Sequence, residues 1–222
     1  MIIGNGLIAK NCFFIDQEDI LFFASGVSNS MCNDDNEYRK EITLLEKYIK
    51  TDKKIIYFSS IDEYIVNNKY LKHKKHIEEI IKSNTDNFII LKLPQLVGES
   101  GNSKNFISYI YNNIKNNIEF DVFLTKRSLL DIFDLINFLK HLIKKDFRGF
   151  ININYIELSE VTDIVEIIEG ILNKKAIIKK NIIIDQKINK NNEFVDSLIN
   201  KVIKNTEFYN LKTIKKYFNE KN

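Results

Sequence analysis

Ile2-Ile3-Gly4-Asn5-Gly6-Leu7-Ile8-Ala9 joins a short apolar stub to a helical stretch through the spacing G-x-G-x-x-A. In that spacing the first glycine makes a tight turn and the second lets a phosphate approach the backbone. The small third residue allows close helix–sheet packing, with the phosphates at the helix N-terminus. Alone the spacing is weak, because a strand-to-helix turn without any ligand uses the same residues. The chain has only 7 glycines in 222 residues, so two of them at this spacing on the first apolar stub carry more weight than usual. A dinucleotide-binding turn also calls for an Asp or Glu about 20 residues further on, at the end of a second strand, to hold the adenosine ribose. Here the next strand-like run, Ile20–Ala24, ends in Ser25-Gly26 with no acid, and Asp16 comes early. The adenosine half of such a site therefore reads as abbreviated.

Outward from this turn, apolar runs alternate with stretches of helical period. Ile20–Ala24, Lys54–Ser59 and Phe88–Leu93 are short, apolar or β-branched and bounded by polar residues, as in a parallel sheet covered on both faces. Between them, Glu37–Lys50 and Lys69–Lys82 place their apolar residues at helical spacing. The pattern continues with a helix over 104–116, a strand at Phe120–Leu124 and an amphipathic helix over Leu129–Ile143. A strand at Phe150–Asn154, a helix over Ser159–Leu172 and two short helices, Phe194–Ile203 and Leu211–Phe218, complete it. Strand–helix alternation of this kind predicts an α/β fold with a mainly parallel sheet flanked by helices.

Composition narrows the function classes. The 33 basic and 30 acidic residues give a net charge of +3, too even for a dedicated nucleic-acid binder. No apolar run reaches the roughly 18–20 residues of a membrane span, and Met1–Gly4 does not open a signal peptide. Cys12 and Cys32 stand in no metal or redox spacing, so two free thiols in the cytoplasm and no metal site are expected. The 39 Ile, 30 Lys and 28 Asn share A/T-rich codons, so a lysine match means little here while a glycine, arginine or proline stands out. Lys69–His76 (KYLKHKKH) accordingly reads as a solvated helix face.

Ile55-Ile56-Tyr57-Phe58-Ser59-Ser60 ends a strand, and Tyr70 and Lys74 share one face at the start of the next helix. A tyrosine acts as acid or base near neutral pH only where a positive charge favours phenolate, and Lys74 supplies one. Tyr111/Lys115 and Tyr217/Lys221 have the same spacing, so position selects Tyr70: it alone follows a strand ending in Ser-Ser. The ordinary reading, an amphipathic-helix tyrosine with a surface lysine, stays open.

Gly4-Asn5-Gly6, Phe23-Ala24-Ser25-Gly26, Phe58-Ser59-Ser60, Tyr70…Lys74 and Leu93-Pro94-Gln95-Leu96-Val97-Gly98 stand in the order seen in extended short-chain dehydrogenases/reductases. Arg127–Asp134 is similar to the R-D-x-I-x-V-x-D segment of the same NAD-dependent epimerase/dehydratase enzymes. The resemblance covers about residues 1–170 and implies a Rossmann-like fold, abbreviated at the adenosine side, with a small C-terminal substrate lobe. The chain is expected to hold an abbreviated cofactor-binding core over 1–100, and interleaved core elements with the lobe over 101–222, the whole as one compact unit. The resemblance implies Ser60, Tyr70 and Lys74 as catalytic residues, with Ser60 four before Tyr64 as in the family's S/T-x-x-x-Y. Gly4, Asn5, Gly6, Leu7, Ile8, Ala24, Ser25, Gly26, Ser59, Lys74 and Pro94 would bind NAD or NADP. Ser60, Gln95 and Arg127 would bind a nucleotide-sugar substrate. The activity implied is that of a keto-sugar reductase, with an epimerase next, in surface-polysaccharide biosynthesis, and a homodimer is a further expectation. Two departures stand out. Fewer than twenty residues separate the glycine turn from the Phe-Ala-Ser-Gly strand, where the family has some sixty to seventy, and Gln95 replaces a common Asn. The alternative is a nucleotide-sugar-binding or scaffold protein that keeps the fold without turnover. The loop Ser28-Asn29-Ser30 reads equally as a ligand contact or a plain turn.

Overall fold

The computed structural model describes residues 1–27, 29, 32–61, 68–99, 105–183, 186 and 188–219. Tyr64, Ser28, Ser30, Lys104 and Lys221 lie outside these described residues. In chain order the elements begin with β1 (Ile2–Ile3), α1 (Leu7–Cys12), a 3-10 turn (Phe13–Ile15), β2 (Ile20–Phe23), α2 (Asp35–Glu46), β3 (Lys54–Ser60), α3 (Lys69–Asn84) and β4 (Phe88–Leu93). There follow β5 (Gln95–Val97), α4 (Phe106–Lys115), β6 (Phe120–Leu124), β7 (Lys126–Arg127), β8 (Leu129–Asp131), α5 (Ile132–Lys144) and β9 (Gly149–Asn152). The last are β10 (Ser159–Glu160), α6 (Val161–Leu172), β11 (Ile178–Ile183), α7 (Glu193–Val202) and α8 (Tyr209–Tyr217).

These elements form two compact units. The first holds the chain up to β4 together with α5 and β9; the second holds Pro94–Asp131 and the chain after Ile153. α5 and β9, from the second half of the sequence, belong to the first unit.

The first unit is built on a five-stranded sheet in the order β1-β2-β3-β4-β9, parallel at every pairing. In the register, Phe22 lies beside Ile56 and Ile56 beside Ile89. Leu21, Phe23, Ile55, Tyr57, Phe88 and Ile90 point to one face and pack with Leu45 and Ile49 after or within α2 and with Ile77 and Ile81 of α3. The alternate residues Phe22, Ile56 and Ile89 are also fully buried, which is why these strands read as unbroken apolar runs. A doubly wound dinucleotide fold runs 3-2-1-4-5-6. Among the described residues nothing pairs with the outer side of β1, so the half that precedes the first strand in that order is reduced to β1 itself.

The second unit packs Ile107, Ile110 and Ile114 of α4 and Ile164, Val165 and Ile168 of α6 around Phe120, Val122 and Leu129. Its strands form three two-stranded pairs: β5 with β8 and β6 with β11 are parallel, and β7 with β10 is antiparallel. One expectation changes here. Leu129–Asp131 is a strand and not the first turn of the following helix, because Gln95–Val97 pairs along it. Ile178–Ile183 adds a further strand, on β6.

Asn210, fully buried at the start of α8, ties this unit together. Its Oδ1 accepts from Leu129 N–H (3.1 Å), and its Nδ2 donates to Ser159 Oγ (2.8 Å) and Glu157 O (3.2 Å). Replacing it leaves a buried backbone N–H without a partner. Asn210→Ala is expected to lower the stability of the second unit by about 2–4 kcal/mol. Native-state hydrogen exchange at the amides of α6 and β8 reads this directly, with the amides of β3 as the reference.

Candidate functional site

The turn at the start behaves as its spacing predicts on one side and more simply on the other. Gly4 has φ +129°, and a Cβ there would stand 2.4 Å from Ala24 O, so this position needs glycine for the close crossing of the β1 and β2 ends. That crossing is fixed by Ala24 N–H on Ile3 O (2.8 Å). Gly6 is the N-cap of α1 and makes no side-chain cap. A Cβ at Gly6 would meet no atom within 4 Å, so the protein itself does not require glycine there. Asn5, Leu7 and Ile8 lie in the same turn and in the first residues of α1, which is six residues long.

The centre of the first unit is a buried carboxylate. Glu41 lies on the inward face of α2 with its side chain 1% exposed, and four donors surround it. Val27 N–H (3.1 Å) and His73 Nε2 (2.8 Å) reach Oε2; Tyr57 Oη (3.1 Å) and Lys74 Nζ (3.1 Å) reach Oε1. Since a carboxylate only accepts, the facing His73 nitrogen carries a hydrogen. Burial alone would push the Glu41 carboxyl up. The His73 hydrogen bond, the Lys74 charge, the Val27 N–H and the His73 charge outweigh it and hold the group down at about 2. Tyr57 moves the opposite way: burial first, then the Glu41 charge, push its hydroxyl well above the ordinary tyrosine value. It therefore remains a neutral phenol that donates to Glu41 and accepts from Lys74 Nζ at 3.0 Å.

Lys74 is 5% exposed, the reverse of the surface role expected for the KYLKHKKH run, although Lys72, Lys75 and His76 of the same run are exposed. Its Nζ lies 5.1 Å from the Tyr57 ring centroid and 5.6 Å from that of Tyr70. Two of its three N–H groups go to Glu41 and Tyr57; the third has no acceptor among the described residues. Tyr70 is half-buried in the first turn of α3, where Asn68 caps the helix by accepting from Tyr70 N–H (2.7 Å). The structure thus brings Tyr70 and Lys74 together, with a carboxylate added that the pattern of residues had not shown.

Of the serines at the end of β3, Ser59 is buried and donates to Glu78 Oε1 (2.6 Å), whose other oxygen pairs with Lys92 Nζ (2.8 Å). Its hydroxyl serves the fold. Ser60 closes the strand half-exposed, beside Leu93 in the register. Ala24, Ser25 and Gly26 follow β2; a Cβ at Gly26 would stand 2.5 Å from Glu41 Oε1.

Pro94, Gln95 and Arg127 belong to the second unit. Pro94 is buried, Gln95 opens β5 with its N–H on Ser128 O (3.2 Å), and Arg127 on β7 lies 5.7 Å from the Phe106 ring centroid. Asp131, the last residue of β8, is buried and accepts from Lys216 Nζ (2.6 Å) and Tyr217 Oη (3.2 Å). Cys12 is buried, and burial, then Asp16, push its thiol up to about 12, which leaves it an inert core group. Among the described residues no group of three His, Cys, Asp or Glu is placed to hold a metal, and no helix is long and apolar enough to cross a membrane.

No family profile matches the chain, and no curated protein matches it in sequence. Solved structures do match. A dTDP-4-dehydrorhamnose reductase from Clostridium acetobutylicum is 17% identical at a TM-score of 0.57, covering 78% of this chain and 69% of that one. A UDP-glucuronic acid 4-epimerase from Bacillus cereus, in complex with NAD, is 17% identical at 0.61, covering 82% and 66%. A UDP-N-acetylglucosamine 4-epimerase from Methanobrevibacter ruminantium, in complex with UDP-N-acetylmuramic acid, is 14% identical at 0.59, covering 90% and 79%. The chain spans about two thirds of the length of the first two. The likeness is one of fold: the chain shares the Rossmann-like architecture of these structures.

Glu41 sets a pH dependence. Its folded value of about 2 lies below the ordinary 4.5, so its contribution is complete above about pH 4.5 and is lost as pH falls toward 2. The amount is on the order of 3 kcal/mol. Denaturant midpoints measured across that window are expected to fall more steeply with acid in the wild type than in Glu41→Gln.

Proposed function

We propose that this chain is an NAD(P)-linked oxidoreductase of nucleotide sugars, a keto-sugar reductase before an epimerase. The observation that carries the reading is the Tyr70–Lys74 pair, one turn apart on α3 with the ammonium 5.6 Å from the phenol ring centroid, after a strand ending in Ser59-Ser60.

The residues present fit the nicotinamide half of a dinucleotide. Gly6 leaves the backbone approach to the first turn open, and the third N–H of Lys74 suits a ribose hydroxyl. The adenosine half has less support. No acid ends β2, and the sheet stops at β1 among the described residues. When bound, a reduced nicotinamide supplies hydride to a carbonyl carbon. In this reading Tyr70 donates its hydroxyl proton to the carbonyl oxygen, Ser60 holds that oxygen by a hydrogen bond, and Lys74 orients the ribose and favours the phenolate left on Tyr70. Gln95 and Arg127 are proposed as substrate contacts of the second unit. A weakly held, exchanging cofactor suits a reductase better than an epimerase, which must retain its cofactor through a cycle.

One observation favours the second reading, a nucleotide-sugar-binding protein without turnover. Glu41 stands 3.1 Å from Lys74 Nζ and opposes the charge that Tyr70 needs.

Calorimetric titration with NAD⁺, NADH, NADP⁺ and NADPH separates the two. Micromolar binding of one form, about −8 kcal/mol, is the expected result; no heat with any of the four retires the oxidoreductase reading. With the cofactor chosen, Tyr70→Phe is expected to lower kcat roughly 10²–10⁴-fold with dinucleotide affinity unchanged. Full activity in that variant would remove Tyr70 from the chemistry.

A further inference from the structure

We infer that Glu41 is the positioning residue of this site, joining the loop after β2 to Lys74 so that the ammonium is held toward Tyr70. The inference rests on the oxidoreductase reading and adds a residue that none of the motifs contains. Three observations carry it.

Lys74 comes from a flexible four-carbon stem, yet its Nζ is held at two points, Glu41 Oε1 (3.1 Å) and Tyr57 Oη (3.0 Å), with one N–H left unspent among the described residues. Tyr57 accepts from Lys74 while donating to Glu41, so the three groups form a closed triangle and no single member can rotate alone. The other Glu41 oxygen accepts from Val27 N–H, in the loop whose Ala24, Ser25 and Gly26 stand beyond the β2 end.

Gly26 marks the same contact from the loop side. A Cβ there would stand 2.5 to 2.7 Å from all three carboxylate atoms of Glu41, so the loop lies directly on the group that holds Lys74. One oxygen accepts from the loop amide and the other from the lysine, so the carboxylate ties the two together. Fixed this way, loop and lysine keep one spacing, which is what a ligand touching both requires before it arrives.

Two variants test this from opposite sides: Glu41→Gln keeps size and removes charge, and Gly26→Ala pushes on the carboxylate without altering a charged group. The first readout needs no cofactor. Competitive acetylation of the whole chain at about pH 8, read by mass spectrometry, compares Lys74 with Lys54, another buried lysine, paired with Asp146. Release of Lys74 from its carboxylate is expected to raise its labelling roughly tenfold in both variants, with Lys54 unchanged. Labelling of Lys74 that stays constant in both, or that rises together with Lys54, overturns the inference, the latter by showing a general loosening of the core.

The second readout is NADH affinity by calorimetry, expected to fall roughly tenfold in Glu41→Gln and to hold in Glu37→Gln, a surface control on the same helix. Unchanged NADH affinity in Glu41→Gln overturns the positioning role. If the wild type binds no dinucleotide, the oxidoreductase reading fails and takes the positioning role with it, while the labelling still decides whether Glu41 holds Lys74.

Discussion

An ionised carboxylate in a protein core survives only when its lone pairs are met, because a half-satisfied buried charge costs more than an apolar residue in its place. Glu41 imposes that condition on the first unit. Its four donors come from the loop after β2, from β3 and from α3, so the placement of α2 fixes three other parts of the chain at once. Neighbouring choices follow from it. Residue 26 has no room for a side chain, position 57 has a hydroxyl where its strand neighbours Ile55 and Ile56 are aliphatic, and α3 turns a histidine and a lysine inward. The same condition makes Lys74 a group of fixed position, which is the property a lysine needs to act on a neighbouring phenol.

Around this charge the sheet supplies rigidity. Every strand of the β1-β2-β3-β4-β9 sheet runs parallel, and β2, β3 and β4 are buried on both faces, so the ends of β2 and β3 that carry Ala24–Gly26 and Ser59–Ser60 are set by a packed interior. Of the two edge strands, β1 has two residues and β9 four. A short edge limits the row of unpaired backbone groups open to another chain.

Much of the first unit was legible in the sequence because burial imposes a period. β2, β3 and β4 stood out as apolar runs, and α2 and α3 as helical stripes, within a few residues of their observed limits. Glu41 was not read, yet a signal existed: Tyr38, Glu41 and Leu45 share the buried stripe of α2, and His73, Lys74 and Glu78 share that of α3 with Ile77 and Ile81. A charged residue on an apolar stripe announces a partner, and counting only the apolar positions hides it. The second unit was less legible. Leu129-Leu130-Asp131 runs into α5 without a break in polarity, and only pairing with β5 makes it a strand. The strand in Ile178–Ile183 is interrupted by Lys179, Lys180 and Asn181, so no apolar period marks it. Asn210 carries no pattern at all, since in a chain with 28 asparagines nothing local separates a buried linchpin from a surface residue.

The bond from Leu129 N–H to Asn210 spans 81 positions of sequence, and those of Asp131 to Lys216 and Tyr217 span 85 and 86. During synthesis β8 therefore leaves the ribosome long before the residues that complete it exist. The contiguous run from β1 to β4 can pair as it emerges, whereas the second unit waits for the last helix. Contacts that distant in sequence close slowly. The nascent chain thus passes through an interval in which Leu129, Ile164 and Ile168 lack Ile214, the member of their cluster that α8 supplies.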